Sequence, residues 1–256
     1  MFDEDLNNTD LADKYYLLSI NINSNIGIFH TNYGSFLTKR KKYQEAEVSF
    51  RKGLDLYNTF QKPNDLSSAH FNFGNLLFKN LNKFQEAKQQ YEFCINLNPK
   101  HFEANCNLAV LYKHTFKDLN KAEFYYNEAH KINPKDSITL NNLGNINSVK
   151  NKELAKHYYS QAILFDENYD MPYNGIGILL MNESPLEAKI NFEKAIKLNF
   201  NNANAHFNFA RLLKFNLSND KKAAYHYEIS GLINPFFKSM KNDKLFNIIR
   251  IKPNLL

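Results

Sequence analysis

The 256 residues could build one sizeable core or a repeat array with no single core. Scarce Gly (8) and Pro (7) argue against a sandwich or another loop-rich fold. The net charge of +6 comes from Lys scattered among Glu and Asp, a pattern of solvated helix faces that argues against a nucleic-acid footprint.

Signals of location are few. The acidic start MFDEDLNNTD is no secretory signal, and apolar runs such as IGILLM (176–181) are far too short to span a bilayer, so no membrane insertion is expected. Cys94 and Cys106 have neither metal nor disulfide spacing and are expected to stay reduced in a cytoplasmic protein. Lys39-Arg40-Lys41-Lys42 resembles a short nuclear-import signal, so a nuclear location is also compatible, although the stretch falls where a polar turn is needed.

In chain order, the first predicted element is a helix over 9–21, capped by Thr9 or Asp10. Its Ala12, Tyr16 and Ser19 stand on one face at offsets of four and seven. That series then recurs six times. Ala46, Ala87, Ala122, Ala155, Ala188 and Ala223 are each followed four later by an aromatic: Phe50, Tyr91, Tyr126, Tyr159, Phe192 and Tyr227. Seven later comes a small residue: Gly53, Cys94, Ala129, Ala162, Ala195 and Ser230. Another small residue precedes each Ala by 11 to 13 positions: Gly34, Gly74, Ala109, Gly144, Gly177 and Ala210. Pro99, Pro134 and Pro235, twelve after their Ala, stop one helix and open the next.

Each unit is therefore expected to be a helical hairpin. Small residues let backbones approach closely, and the aromatic fills the space between helices. One hairpin cannot bury its apolar face alone, so neighbours must stack. The predicted units are 27–60, 67–101, 102–136, 137–169, 170–202 and 203–235, preceded by a half-repeat cap over 1–26. The wide gap between the first two units contains YNTFQKPNDLSS (57–68), where a longer loop or helix extensions are expected. After Pro235, Met240, Leu245, Ile248 and Ile249 fall near one face of a predicted closing helix over 236–251, with a tail to residue 256.

The small–Ala–aromatic–small–Pro series, in register over 27–235, closely resembles the tetratricopeptide repeat (TPR) family. The resemblance implies an all-α fold, a right-handed superhelix of tandem antiparallel helical hairpins forming an α-solenoid. The chain departs from the family in lacking Trp: the family's large aromatic place holds His30, His70, Asn105, Leu140, Tyr173 and His206. Pro is also missing from units one, four and five, where Asn58, Glu167 and Phe200 stand instead.

In such an array the first helices of the hairpins line a concave groove. Two residues before the small residue stand Asn32, Asn72, Asn107, Asn142 and Asn208, with Gly175 the exception; this is well above the background of 39 Asn in the chain. The column has two readings. The amides could tie adjacent helices together, or they could offer donors and acceptors to the backbone of an extended peptide. The second resembles the asparagine ladder in the TPR superhelix of O-linked N-acetylglucosamine transferases. Helical spacing adds Phe71, Asn75, Lys113, Asn141 and Asn145 to the candidate peptide-binding face, and further along Asn174, Phe207, Arg211 and Lys214. The chaperone-tail clamp of some TPR proteins does not fit, because its basic places would hold Phe71, Ile138 and Asn142.

No phosphate loop, GxSxG or HExxH motif is present, and the His and carboxylates are scattered. No catalytic residue, metal or cofactor is expected. The sequence points to a non-catalytic protein–protein interaction scaffold binding an extended segment of another protein. Alternatives are the substrate-recruiting TPR arm of a larger glycosyltransferase-like enzyme and, less favoured, a helical-repeat RNA binder. A homodimer is compatible with an uncovered terminal unit or with the convex face.

Overall fold

The computed structural model describes residues 2–57 and 63–240. All regular structure among them is helical. The chain divides into two units, Met1–Ile132 and Asn133–Leu256.

The first unit holds α1 (Phe2–Ile22), α2 (Gly27–Lys39), α3 (Tyr43–Asp55), α4 (Pro63–Lys79), α5 (Phe84–Leu97), α6 (Phe102–His114) and α7 (Leu119–Ile132). Three hairpins, α2/α3, α4/α5 and α6/α7, pack most closely within themselves; α4 then rests on α3 and α2, α6 on α5, and α1 on α2. The second unit holds α8 (Ser137–Asn147), α9 (Lys152–Phe165), α10 (Asp170–Leu180), α11 (Pro185–Leu198), α12 (Ala203–Phe215), α13 (Asp220–Ile233) and α14 (Pro235–Met240). Its hairpins are α8/α9, α10/α11 and α12/α13, with α14 packed on α13. The fold class is all-α: tandem antiparallel hairpins of the TPR α-solenoid kind.

The core explains the spacing of small and aromatic residues. The recurring Ala of each second helix is between 0% and 2% exposed, and the aromatic four later is buried in all six hairpins. The small residue of the first helix lies against that aromatic. A Cβ on Gly74 would come within 2.8 Å of Tyr91 Cε1, and one on Gly144 within 2.5 Å of Tyr159 Cε1. Gly177 faces Phe192 in the same way, at 2.7 Å. Close helix approach and aromatic filling are therefore one feature, because the ring occupies the space a side chain would need.

Two kinds of turn link the helices. Within hairpins, Lys41, Asn82, Lys117 and Ser218 adopt the left-handed conformation, with φ of 60°, 55°, 57° and 49°. Between hairpins an Asx side chain starts the turn. Asn98, Asn133, Asp166, Asn199 and Asn234, each eleven after the recurring Ala, accept a hydrogen bond from the backbone N–H two residues on, at 3.0–3.3 Å. Four of the 39 Asn thus serve to end one hairpin and begin the next. Asn151, Asn202 and Asn219 add N-caps to α9, α12 and α13.

The ends differ from expectation. Helix α1 begins at Phe2, so neither Thr9 nor Asp10 is its cap. Helix α4, with 17 residues, is longer than the other first helices and takes up part of the gap between the first two hairpins. Of the predicted closing helix, α14 is described; Leu245, Ile248 and Ile249 lie outside the described residues.

Candidate functional site

The candidate face is carried by the first helices of the hairpins, and the two units are described separately. In the first unit, α2 presents Asn32, α4 presents Phe71, Asn72 and Asn75, and α6 presents Asn107 and Lys113. Asn75 is an acceptor hub. Its Oδ1 receives Asn107 Nδ2 at 2.8 Å and the Tyr91 hydroxyl at 2.8 Å. Asn107 Nδ2 also lies 3.4 Å from the Tyr91 oxygen. These groups join α4, α5 and α6, and burial pushes the Tyr91 phenol well above its usual range. Phe71 is half-buried, its ring 4.5 Å from that of His101 and 6.1 Å from that of Tyr91. Lys113 is half-buried as well, and burial pulls its ammonium below the ordinary lysine range.

Asn32 and Asn72 behave differently. Both are exposed and line a cleft of about 80 Å³ between α2 and α4, together with Ile28, Thr31, Ser35, Tyr57, Asp65, Ser68 and Ala69. Among the described residues neither amide makes a side-chain hydrogen bond. Tyr57 brings its phenol into the same cleft, and burial pushes that group upward.

In the second unit the column is largely closed. Asn208 Nδ2 donates to Asn174 Oδ1 at 3.2 Å, and Arg211 Nη1 donates to Asn208 Oδ1 at 3.4 Å. Asn174, Asn208 and Arg211 are 7%, 8% and 5% exposed, and Phe207 only 1%. Phe207 stacks on Phe237 of α14 at 4.7 Å and meets Tyr227 edge-on at 5.6 Å. The expectation that these four side chains line an open groove is therefore corrected: α14 and α13 enclose Phe207, Asn174 and Asn208 bond across two hairpins, and Arg211 is turned onto Asn208 of its own helix. Asn141 is corrected likewise, being buried with its Nδ2 3.4 Å from the Tyr169 hydroxyl. Asn142 donates to the Ile138 carbonyl of its own helix at 3.0 Å, and Asn145 accepts from the Tyr159 hydroxyl at 2.9 Å. Lys214 is exposed, its ammonium 5.6 Å from the centre of the Phe215 ring. Gly175 breaks the column for a steric reason, since a Cβ there would stand 2.6 Å from Tyr159 Cζ.

Spacing alone did not reveal the tyrosine hydroxyls that bind the amides, nor the buried Asp170, which accepts from Asn202 at 2.6 Å and Asn199 at 3.1 Å. The recurring Asx at the end of each hairpin was the available signal for Asn199. His30, His70 and His206, at the family's aromatic place, bond to Ser24 O at 2.9 Å, Gln90 Oε1 at 2.7 Å and His226 Nδ1 at 2.9 Å. The Cys94 thiol is buried beside Ser67 and raised by that burial, the opposite of an activated nucleophile. Among the described residues no group of three His, Cys, Asp or Glu could hold a metal.

Comparisons with known proteins agree on the architecture. The family model for the tetratricopeptide repeat matches residues 67–101 and 102–136, which hold α4/α5 and α6/α7. Human protein O-mannosyl-transferase TMTC3 is 28% identical over 226 residues, covering 81% of this chain but 24% of that protein. The chain thus spans about a quarter of that relative's length. Among solved structures, the anaphase-promoting complex hetero-tetramer Cut9–Hcn1 aligns with a TM-score of 0.66 at 17% identity, covering 98% of this chain and 46% of that one. YrrB, described as a TPR protein with an unusual peptide-binding site, aligns with a TM-score of 0.51 at 21% identity, covering 66% and 87%. The repeat matches, these neighbours and the hairpin-by-hairpin core agree: the chain is a tetratricopeptide repeat protein.

Proposed function

We propose that the chain is a non-catalytic scaffold that binds an extended segment of a partner protein, and that the segment is held at the cleft between α2 and α4. A tetratricopeptide repeat array supports a protein-interaction role. The finer reading rests on one observation: Asn32 and Asn72 keep exposed amides beside a polar cleft, whereas Asn107 is bonded to Asn75 and, in the second unit, Asn208 to Asn174. An amide offers an acceptor and two donors to a peptide backbone. Ser35, Ser68 and Asp65 add further polar groups around the same cleft. Cys94 and Cys106, present as thiols, fit a reducing, cytoplasmic setting. No described helix is long and apolar enough to cross a membrane.

Peptides selected by the purified chain from a random display library supply the test. Calorimetry would compare wild type, Asn32→Ala/Asn72→Ala and Asn107→Ala. The double variant is expected to lose about tenfold in affinity or more, about 1.4 kcal/mol, with Asn107→Ala close to wild type. Equal binding by wild type and the double variant would overturn the reading.

A second reading, the substrate-recruiting arm of a larger glycosyltransferase-like enzyme, has the match to a transferase behind it. It requires that acceptor proteins of such an enzyme be retained by the immobilised chain through the same cleft. Acceptors that pass through unretained would count against it.

A further inference from the structure

The two ends of the chain present opposite halves of a hairpin. Helix α1 is a second helix by register, since Ala12, Tyr16 and Ser19 repeat the series of Ala46, Phe50 and Gly53. Where the series lies between two neighbouring helices it is buried: Ala46 and Phe50 are 0% and 1% exposed. In α1 the same three places are only partly buried. In complete hairpins the residue three after the Ala meets the hairpin's own first helix, as Gln90 meets His70 and His226 meets His206. Its counterpart in α1, Tyr15, is 61% exposed. Leu11, Leu18 and Ile22 extend this face at helical spacing, at 48%, 51% and 76% exposure. The face of α1 that should meet a first helix is thus an apolar stripe that no described residue covers.

At the other end, α14 stands where a first helix opens. It follows the Asn234–Pro235 step as α6 follows Asn98–Pro99, and it packs on α13 as α6 packs on α5. The chain beyond α14, residues 241–256, carries Leu245, Phe246, Ile248, Ile249 and Ile251 in its sequence. Charge selects the pairing. Residues 1–13 contain five acids (Asp3, Glu4, Asp5, Asp10, Asp13) and no base. Residues 238–256 contain five bases (Lys238, Lys241, Lys244, Arg250, Lys252) against the single acid Asp243.

We propose that a second copy of this chain docks its basic, apolar C-terminal segment, 238–256, on the exposed stripe of α1, so that copies associate head to tail. This interface is independent of the α2–α4 cleft. It is heterologous, pairing the C-terminal segment of one copy with α1 of the next, so a dimer keeps one α1 and one C-terminal segment for further copies. Attraction between oppositely charged ends makes the association weaken with salt.

Sedimentation of the full chain at rising concentration, with three proteins, tests this. Wild type is expected to shift from monomer to dimer and larger species. Tyr15→Glu/Leu18→Glu alters exposed positions only, and folding is checked by circular dichroism. The second variant, Lys241→Glu/Lys244→Glu/Arg250→Glu/Lys252→Glu, reverses the charge of the opposite end. Each variant alone is expected to stay monomeric. Their mixture is expected to give a one-to-one dimer and nothing larger, because one protein supplies an intact α1 and the other an intact C-terminal segment. A wild type that stays monomeric throughout would overturn the proposal. So would a C-terminal variant that dimerises alone, which would mean that two α1 stripes pair symmetrically, or a mixture that stays monomeric while wild type associates.

Discussion

Asn72, between α2 and α4, and Asn107, between α4 and α6, occupy one repeat position yet end in different chemistry. Asn107, two residues before its small residue, donates to Asn75 of the preceding first helix and lies near the Tyr91 hydroxyl. Asn72, at the same place one hairpin earlier, is exposed beside a cleft. The preceding hairpin explains the contrast. Asn107 finds Asn75 one residue after Gly74, and Tyr91 in the second helix. At those places Asn72 finds Ser35 and Phe50, a shorter hydroxyl and a ring without one. For Asn72 and Asn107 the two residues behind the amide mark the difference; Asn208, with Ile178 and Phe192 at those places, is held instead by Asn174 of the preceding first helix.

The largest effect should come from breaking the engaged side at its root. Gly74→Val would put a side chain where the Tyr91 ring lies, since even a Cβ comes within 2.8 Å. The ring must move, and the Tyr91–Asn75–Asn107 cluster goes with it. We expect a loss of about 3 kcal/mol, read from urea denaturation. A midpoint close to wild type would mean the ring has somewhere else to go.

Next in size are the amides themselves. Asn75→Ala leaves the Tyr91 hydroxyl and Asn107 without their shared acceptor in a half-buried place, at a cost of about 1–2 kcal/mol. Asn32→Ala and Asn72→Ala remove exposed groups and should stay within about 0.5 kcal/mol of wild type. If all three substitutions cost the same, the division between engaged and free amides collapses.

The hairpin core was legible before the structure because its rule is strict. A ring at Tyr91 or Phe192 demands Gly or Ala opposite, so the pattern is written at fixed offsets. The candidate face was legible only as a set of positions. Whether Phe207 is open depends on Phe237, thirty residues on in a six-residue helix, and no periodicity within α12 announces that. The Asx turns were in plain view, eleven after each recurring Ala from Asn98 to Asn234. Their signal is thinner than that of the core, a single Asx at one place, and in three of them the Pro that follows is the stronger mark of a helix end. The first hairpin breaks this rule, with Tyr57 at the Asx place, and it is there that the open cleft lies.

Acid separates the amide clusters from the histidine pair of the last hairpin. Burial, then His206, then Lys222 push His226 down to about 4, from an ordinary value of 6.5. The folded value lies below the unfolded one, so the unfolded chain binds the proton more readily. Stability tied to this group is complete above pH about 6.5 and is lost as pH falls toward 4. His226→Gln keeps a donor for His206 and removes the titration. Its loss of stability between pH 7 and pH 4.5 should be smaller than that of wild type, while Asn75→Ala should show the wild-type slope. Parallel slopes for wild type and His226→Gln would sink this assignment.

The smallest effect concerns the turns inside the hairpins. Lys117 and Asn82 hold left-handed backbone at φ of 57° and 55°, in the two hairpins that flank the Asn75–Asn107 contact. An ordinary side chain pays for that conformation in crowding between its Cβ and the neighbouring carbonyl, and Asn less than Lys because its short amide tolerates the region. Glycine removes the crowding but frees the unfolded chain, and the two terms oppose each other. The balance should favour Lys117→Gly by about 0.5–1 kcal/mol and leave Asn82→Gly near zero. Both turns lie away from Asn75 and Asn107 in sequence, so either gain should add to the loss in Asn75→Ala without altering it. A gain at Lys117 that vanishes in the Asn75→Ala background would show that the turn and the amide contact are coupled, and that what joins the two hairpins is set partly by the loop and not by the side chains alone.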